Sequence, residues 1–505
     1  MQNVQNLEHK NVMSELNLAV DVVIMAAGKG TRMISKLPKV LHRLAGKSLI
    51  FHVLDTAAAL SARQVVVVTG HAAEAVESAI SQYRLCQTSP LSSAHPSIQA
   101  QAKTADPAPP NVSFVRQEPQ LGTGHAVQQA VPHLPDDGLV VVLSGDVPLT
   151  QASTLKALMA ASQGDKLALL TLNMPDPTGY GRIVRNPTTQ AVQAIVEQKD
   201  ATHEQKAIGE VYSGIMAAPA ALLKTWLARL DNRNAQGEFY LTDVVKWAVA
   251  DGVPVVAHQI QDALQVAGIN NPAQLAELER AHQLRLAQAL MLQGVRLADP
   301  ARLDVRGELV CGQDVEIDIN CVFSGRVVLE DGVRIGAHCV ISQAHVGKGA
   351  VVHPFTHIEG GASPKDQVDV GEGALIGPFA RLRPGAQLGA EVHIGNFVEV
   401  KNSTMAKGSK ANHLAYVGDA QLGERVNYGA GSITANYNGA HKHQTVIEAD
   451  VHIGSNCVLI APVTIGAGGT VGGGSTITKD TAPGVLTVAR AKQVSLPNWK
   501  RPQKS

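Results

Sequence analysis

The chain has 505 residues, more than a single hydrophobic core usually serves, so at least two domains are expected. Lys plus Arg and Asp plus Glu each number 43, and this balance leaves no overall field to hold nucleic acid or an anionic membrane. Residues 1–19 lack the apolar core of a signal peptide, no apolar run approaches a membrane span, and five scattered cysteines (Cys86, Cys311, Cys321, Cys339, Cys457) imply buried, reduced thiols in a cytoplasmic protein.

Residues 1–19 form a polar leader expected to be disordered. From Asp21 onward, apolar runs alternate with helical stretches. Strands are predicted at 22–25, 65–69, 112–116, 139–144 and 167–172, and helices at 49–60, 72–83, 124–133 and 153–161. That alternation implies an α/β fold with a mostly parallel sheet and ligands at the carboxyl ends of its strands. Residues 87–110, with five prolines and only Lys103 and Asp106 charged, are expected to be a mobile surface insertion. Short strands are expected across 179–219, as a lid over the open sheet, and helices at 220–230 and 240–250. Pro272 starts a long helix that Gly294 ends. The domains expected are therefore 20–271, a linker helix at 272–293, and 294–505.

Beyond the helix an aliphatic residue falls on every sixth position: Val370, Ile376, Leu382, Leu388, Ile394 and Val400, then Ile453, Leu459, Ile465, Val471 and Ile477. Small or aliphatic residues sit four places after the ladder positions (Ala374, Ala380, Ala386, Val392, Val398). A period of six matches neither a helix nor an alternating strand. It matches a coil that turns a corner once per hexad, a hexapeptide-repeat β-helix. The low aromatic content, 3%, suits its narrow interior. Burying this ladder does not by itself offset the backbone ordering of the coils, so contacts with other subunits are expected.

Two stretches carry candidate chemistry. Met25-Ala26-Ala27-Gly28-Lys29-Gly30-Thr31-Arg32 follows the first strand, with Lys39 close behind. Small residues let backbone N–H groups approach a phosphate, and Lys29, Arg32 and Lys39 offset its charge. Neither a Walker loop nor a G-x-G-x-x-G is present. Asp146 ends a strand, where a carboxylate can hold Mg2+ or merely cap a turn. In the second half the hexads break after Val400, and the interruption at 401–416 is expected to leave the coil as a loop. His413 lies there beside Lys401, Lys407, Lys410 and Tyr416, and an imidazole titrating near neutrality can take the proton an amine must shed. The pairs His353/His357 and His441/His443 are read as surface histidines, not as a zinc site, because hexads are not helical.

The Gly-rich loop, Leu121-Gly122-Thr123-Gly124-His125 and Ser144-Gly145-Asp146-Val147-Pro148 together resemble the sugar-1-phosphate nucleotidyltransferases. Joined to the hexads, they resemble the bifunctional GlmU family, over roughly residues 20–500. The resemblance implies a Rossmann-like nucleotidyltransferase domain plus a left-handed parallel β-helix, in a homotrimer. It implies two reactions: acetylation of glucosamine 1-phosphate by acetyl-CoA, then Mg2+-dependent uridylyl transfer from UTP to N-acetylglucosamine 1-phosphate. The product would be a precursor of peptidoglycan and lipopolysaccharide.

By that resemblance Met25, Ala26, Ala27, Gly28, Lys39, Gln117, Gly122, Thr123, Ser144, Gly145 and Asp146 hold the nucleotide, and Gly181, Glu197 and Tyr212 the sugar. Tyr212 departs from the family's usual Asn, and Ser144 from a common Tyr. Asp146 and Asn270 hold the metal. His413 is the general base, Arg383, Lys401, Tyr416 and Asn427 bind the amino-sugar phosphate, and Ala430, Asn436, Tyr437, Ser455, Gly473 and Arg490 line the acetyl-CoA site between subunits. Two rival readings are a non-catalytic regulatory scaffold of the same domain pairing and an acetyltransferase with an inactive first domain.

Overall fold

The computed structural model describes residues 18–88 and 110–502, without the side chains of 86–88. Most of the leader and residues 89–109 of the expected insertion lie outside the described residues, as does the side chain of Cys86. The chain divides into two compact units, Met1–His282 and Gln283–Ser505, and the division falls inside the helix Pro272–Leu292.

In the first unit the apolar runs form one sheet. Its strand order is Val255–Ile260, Leu167–Asn173, Glu210–Pro219, Leu139–Ser144, Val20–Met25, Gln64–Thr69, Asn111–Arg116. The last four of these run parallel. Val20–Met25, Gln64–Thr69 and Leu139–Ser144 are apolar runs without alternation because both their faces are covered, whereas Asn111–Arg116, expected to be buried, is the half-exposed edge. Val22, Ile24, Val65 and Val141 pack with Ile50, Val53, Ile80 and Leu155 on one face, and Val23, Val66, Val140 and Val142 with Val127, Leu223 and Trp226 on the other. The expected helices form as Leu49–Ala58, Ala73–Thr88, Thr123–Ala130, Ala152–Ser162, Ala220–Leu227 and Val244–Ala250.

The expectation of a lid across 179–219 needs correction. Only the antiparallel hairpin Gly181–Arg185/Val192–Val196 lies off the main path, whereas Glu210–Pro219 is inserted antiparallel in mid-sheet between Leu139–Ser144 and Leu167–Asn173. The burial of Val211, Ile215, Met216, Ala217 and Ala218 accounts for this placement; its small residues disguise a central strand as a weak one. Its register slips between Tyr212 and Met216, around Gly214 (φ +88), where a Cβ would lie 3.9 Å from the Ser144 hydroxyl. The strand Val255–Ile260 was not foreseen.

The second unit is a solenoid of parallel strands with three stacked faces. Val370, Leu388, Met405, Leu422, Ile447 and Ile465 make one interior column. Ile376, Ile394, Ala411, Tyr428, Ile453 and Val471 make the second. Leu382, Val400, Val417, Thr434, Leu459 and Ile477 make the third, and all three columns are buried. The small residues expected inside (Ala374, Ala380, Ala386, Val392, Val398) are buried at the corners. Cys321, Cys339 and Cys457 are buried, Cys311 is half-buried, and all four are free.

The columns overturn one expectation. Residues 401–416 do not leave the coil. Met405, Ala411 and Val417 pair beside Leu388, Ile394 and Val400, so the turn is completed with one residue fewer between Val400 and Met405. The segment that does leave is 436–444, a short hairpin bridged between Tyr437 and Lys442. Two one-residue deletions, before Met405 and before Leu422, shift the frame, and Met, Ala, Tyr and Thr in aliphatic positions hide its continuation.

The open start of the solenoid is closed by its own chain. Ala287 and Leu290 of the helix join the interior cluster, and the buried Gln283 amide pairs with both backbone groups of Val305 at 2.8 Å. That cap leaves fewer unpaired edge groups on the first coil.

Farther along, His345 is held between Asp369 (2.8 Å) and Glu330 (3.0 Å) of neighbouring turns. Burial opposes its protonation, but the two carboxylates outweigh it and raise its pKa. A raised histidine pKa stabilises the fold fully below the unfolded value near 6.5 and loses that contribution as pH rises through the folded value. The unfolding midpoint of this unit should therefore fall as pH is raised from about 6 through that range, and His345→Gln should flatten the dependence, as differential scanning calorimetry would show.

Candidate active sites

The first site lies at the carboxyl ends of the parallel strands. The turn after Val20–Met25 is held open by backbone bonds, Ala26 N–H to Val68 O (2.8 Å) and Gly145 N–H to Met25 O (2.9 Å). Gln117 donates its amide to Gly122 O (2.8 Å), and Gln120 donates to Ala27 O (2.7 Å). Between them opens a cleft of about 640 Å³ lined by Met25, Ala26, Ala27, Gly28, Lys39, Gln117, Gly122, Thr123, Ser144 and Asp146, along with Glu238. Eleven residues assigned to the nucleotide thus gather at one cleft, Gly145 through its bond to Met25.

Gly122 is required by space and backbone together. At φ +112 a Cβ would lie 2.7 Å from Phe239 O. Gly122→Ala should cost about 2 kcal/mol of stability, measurable by thermal unfolding.

At the cleft floor three distant segments meet. The Lys39 ammonium bonds the Asp146 carboxylate, Asn270 Oδ1 lies 3.4 Å from the same ammonium, and Arg32 donates to Asn270 Oδ1 at 2.8 Å. Asp146 O also accepts from Ile269 N–H (3.1 Å), which fixes the Asn270 segment against the strand end. Two oxygen donors therefore converge on a cation. Among the described residues no group of three His, Cys, Asp or Glu could hold a metal. One carboxylate and one amide oxygen leave most of a coordination shell to phosphate and water, a habit that suits Mg2+.

Glu197, Gly181 and Tyr212 also come together. Gly181 pairs with Tyr212 across the strands, and a Cβ on Gly181 would lie 3.6 Å from Glu197 Oε1. Burial raises the Glu197 pKa, partly offset by the hydroxyl of Thr242 at 3.0 Å, while Asp200 and Asp243 add to the rise. Tyr212 is only 7% exposed and packs among core residues, with a buried hydroxyl that has no hydrogen-bond partner among the described residues. Its exclusion from water drives its pKa well up, with the Glu197 charge adding to the effect.

The second site runs along a corner of the solenoid. His413 pairs with Asn396 of the preceding coil, and its Nδ1 lies 3.1 Å from Asn396 Oδ1. Gly431 N–H reaches His413 O, Asn456 N–H reaches Ala430 O (2.8 Å), and Gly474 N–H reaches Ser455 O (2.8 Å). His413, Ala430, Ser455 and Gly473 are thus successive steps of one file, and Arg490 donates to Gly473 O (2.6 Å) at its end. Asn427 faces outward in the coil after Lys410, while its neighbour Tyr428 points in.

Around the adjoining corner, Arg383 donates to Glu399 (2.7 Å), and the Asn436 amide bonds both the Tyr416 hydroxyl (3.4 Å) and Asp419 (2.5 Å). Tyr416 folds over Gly418, where a Cβ would meet its hydroxyl at 2.2 Å. Lys401 has Lys442 beside it, and this second ammonium, followed by burial, holds its pKa below the ordinary lysine range.

Sequence reasoning missed Gln120, Asp419 and Lys442. Gln120 follows a Glu-Pro that reads only as a turn. Lys442 reaches Lys401 through the hairpin bridge at Tyr437, which no spacing in the sequence signals.

Comparisons with known proteins agree with this geometry. The MobA-like NTP transferase profile matches residues 22–204, and the bacterial transferase hexapeptide profile matches 368–402 and 444–479. The bifunctional protein GlmU of Albidiferax ferrireducens is 71% identical over 486 residues, covering 96% of this chain and all of its own length. That of Paracidovorax citrulli is 68% identical, covering 96% and 99%, and that of Azoarcus sp. strain BH72 is 54% identical, covering 96% and 100%. With an NTP-transferase sheet and a hexapeptide solenoid in one chain, and relatives at this identity along nearly the whole of it, the protein belongs to the bifunctional GlmU family.

Proposed function

We propose that the sheet's cleft transfers a uridylyl group from UTP to N-acetylglucosamine 1-phosphate, and that the solenoid corner acetylates glucosamine 1-phosphate with acetyl-CoA. The chain is a bifunctional transferase, and its first domain uses a nucleoside triphosphate. The observation that carries the reading is the meeting of Lys39, Asp146 and Asn270, drawn from three separate segments onto one floor. A regulatory scaffold would have no need of that convergence.

In the first site Asp146 and Asn270 would hold Mg2+, which when bound neutralises charge on the phosphates. The backbone from Ala26 to Gly28 approaches the phosphates, and Lys39 and Arg32 offset the charge that builds as the sugar phosphate attacks the α-phosphorus and pyrophosphate leaves. Gln117, Gly122 and Thr123 orient the base, and Gly181 and Glu197 orient the sugar. Positioning and charge carry the reaction, with little covalent work by the chain.

In the second site Asn396 presents a carbonyl oxygen to His413 Nδ1, so that Nδ1 carries the proton and Nε2 is the free acceptor. As the sugar amine attacks the thioester carbon, Nε2 takes its proton and coenzyme A leaves as the thiol after reprotonation. Arg383, Lys401 and Tyr416 grip the sugar phosphate, Asn427 assists from the adjacent face, and the file from Ala430 to Arg490 with Asn436 and Tyr437 supports acetyl-CoA.

A homotrimer would complete the second site. An exposed row at one corner supports association: His338, Phe355, Phe379 and Phe397 stack at 4.9, 5.0 and 5.4 Å, followed by exposed Leu414. Among the described residues no helix is long and apolar enough to cross a membrane, and the buried free thiols support a cytoplasmic setting.

The test supplies glucosamine 1-phosphate, acetyl-CoA, UTP and Mg2+, omitting each in turn, and follows free thiol and pyrophosphate. Thiol release should need only the first two, and pyrophosphate release should need all four. Pyrophosphate release without acetyl-CoA, or no thiol release, would refute the assignment.

A further inference from the structure

Asp419 stands six residues after His413, at a corner where the chain takes a left-handed turn (φ +49), a conformation Asp tolerates better than most residues. It is 8% exposed. Its carboxylate accepts from two amides, Asn402 Nδ2 on Oδ1 and Asn436 Nδ2 on Oδ2, both at 2.5 Å. Its backbone accepts from Thr445 N–H at 3.2 Å and donates to Lys401 O at 3.1 Å. Asn436 opens the hairpin 436–444, and Thr445 is where the chain rejoins the coil. One residue therefore fastens both ends of the only segment that leaves the solenoid between Thr434 and Ile447, and also ties it to the strand carrying Lys401.

The charge of the same carboxylate acts on both the Lys401 and the Lys442 ammonium groups. The charged and titratable groups facing this pair are Arg383, Tyr416 and Asp419, and of these Asp419 alone favours the charged form of Lys401. A buried carboxylate that accepts two amide donors and faces cations is costly to replace, because an amide in its place would turn one donor–acceptor contact into donor against donor.

We propose that Asp419 is a positioning residue of the acetyl-transfer site: it sets the 436–444 hairpin and keeps Lys401 and Lys442 together as a receptor for the phosphate monoester of the amino sugar. This rests on the function proposed above for the solenoid site. Asp419 touches no reacting atom. It acts through Asn436, which bonds the Tyr416 hydroxyl, and through Lys442, which the hairpin bridge at Tyr437 delivers.

The test is Asp419→Asn in the full-length protein. The KM for glucosamine 1-phosphate should rise about tenfold or more with kcat changed much less, and competition by inorganic phosphate should weaken in parallel. Without the anion the ammonium pair loses its protons more readily, so the alkaline fall in kcat/KM should move to lower pH. Uridylyl transfer should be unchanged. Asn402→Ala, which removes one amide but leaves Asn436 fastened, should retain most of the affinity, and it keeps the test decisive if Asp419→Asn folds poorly.

An unshifted pH profile with equal loss in kcat and KM for both substrates would reduce Asp419 to a structural role and overturn the proposal. So would Asn402→Ala behaving like Asp419→Asn. If the unmutated protein releases no thiol with glucosamine 1-phosphate, the proposed function fails instead, and the two failures are distinguishable.

Discussion

His413→Ala should lower acetyl transfer by about 100- to 10,000-fold, the usual range for loss of a general base, and should leave pyrophosphate release from UTP and N-acetylglucosamine 1-phosphate untouched. The expectation follows from placement. His413 is exposed at a corner, and its imidazole contacts Asn396 at 3.1 Å, so its removal opens no cavity and breaks no buried network. The thermal midpoint should stay within a degree or two of the unmutated value. His413→Gln should be equally inactive, because it keeps a polar contact to Asn396 but has no titrating nitrogen. A thiol-release assay at saturating acetyl-CoA measures both. Retention of a tenth or more of the activity by His413→Gln would mean that His413 orients the substrate and another group takes the proton.

Asp146→Ala should act at the opposite site, lowering uridylyl transfer about 1,000-fold, the scale of losing one main electrostatic contact in a transition state. The carboxylate is partly buried and bonded to Lys39, with Asn270 on the same ammonium. Removing it leaves the Lys39 charge facing a single amide oxygen and takes away the one carboxylate at the floor. Asp146→Asn keeps the shape and should lose nearly as much, and raising Mg2+ should not restore either variant. Acetyl transfer should continue at the unmutated rate in both. Near-normal uridylyl transfer by Asp146→Asn would contradict a metal-holding role and leave Asp146 as a partner for Lys39 alone.

The parts of this molecule that repeat were the parts most legible in its sequence. Four buried strands of the first unit announce themselves as continuous apolar runs, and the ladder from Val370 to Val400 as an aliphatic residue at a fixed step. Glu210–Pro219 did not. Its Ala-Ala-Pro ending and the kink at Gly214 make a central strand look like an edge, and only its buried neighbours on both sides reveal it. The apparent interruption after Val400 misled for a related reason: two deleted residues, before Met405 and before Leu422, shift the frame, and Met405, Ala411 and Tyr428 fill positions held elsewhere by Ile, Leu or Val.

The sites divide in the same way. Local motifs singled out the Gly-rich turn, Asp146 and His413, because the chemistry each suggests is carried within a few residues. What required coordinates were contacts made across long gaps. Arg32 reaches Asn270 from 238 positions away, and Lys442 arrives beside Lys401 on a hairpin whose register Asp419 fixes. Tyr212 shows the limit from the other side. Its position in the strand beside Gly181 was readable, yet the burial of its hydroxyl without a partner was not.

The claim beneath all of this is that the two clefts work separately, each complete without the chemistry of the other. The most direct measurement mixes purified His413→Ala and Asp146→Ala proteins with glucosamine 1-phosphate, acetyl-CoA, UTP and Mg2+ and follows UDP-N-acetylglucosamine. Each variant alone should make essentially none, with N-acetylglucosamine 1-phosphate accumulating only in the Asp146→Ala reaction, and the mixture should restore synthesis through that diffusing intermediate. A silent mixture of two folded variants, or full synthesis by either one alone, would contradict the account.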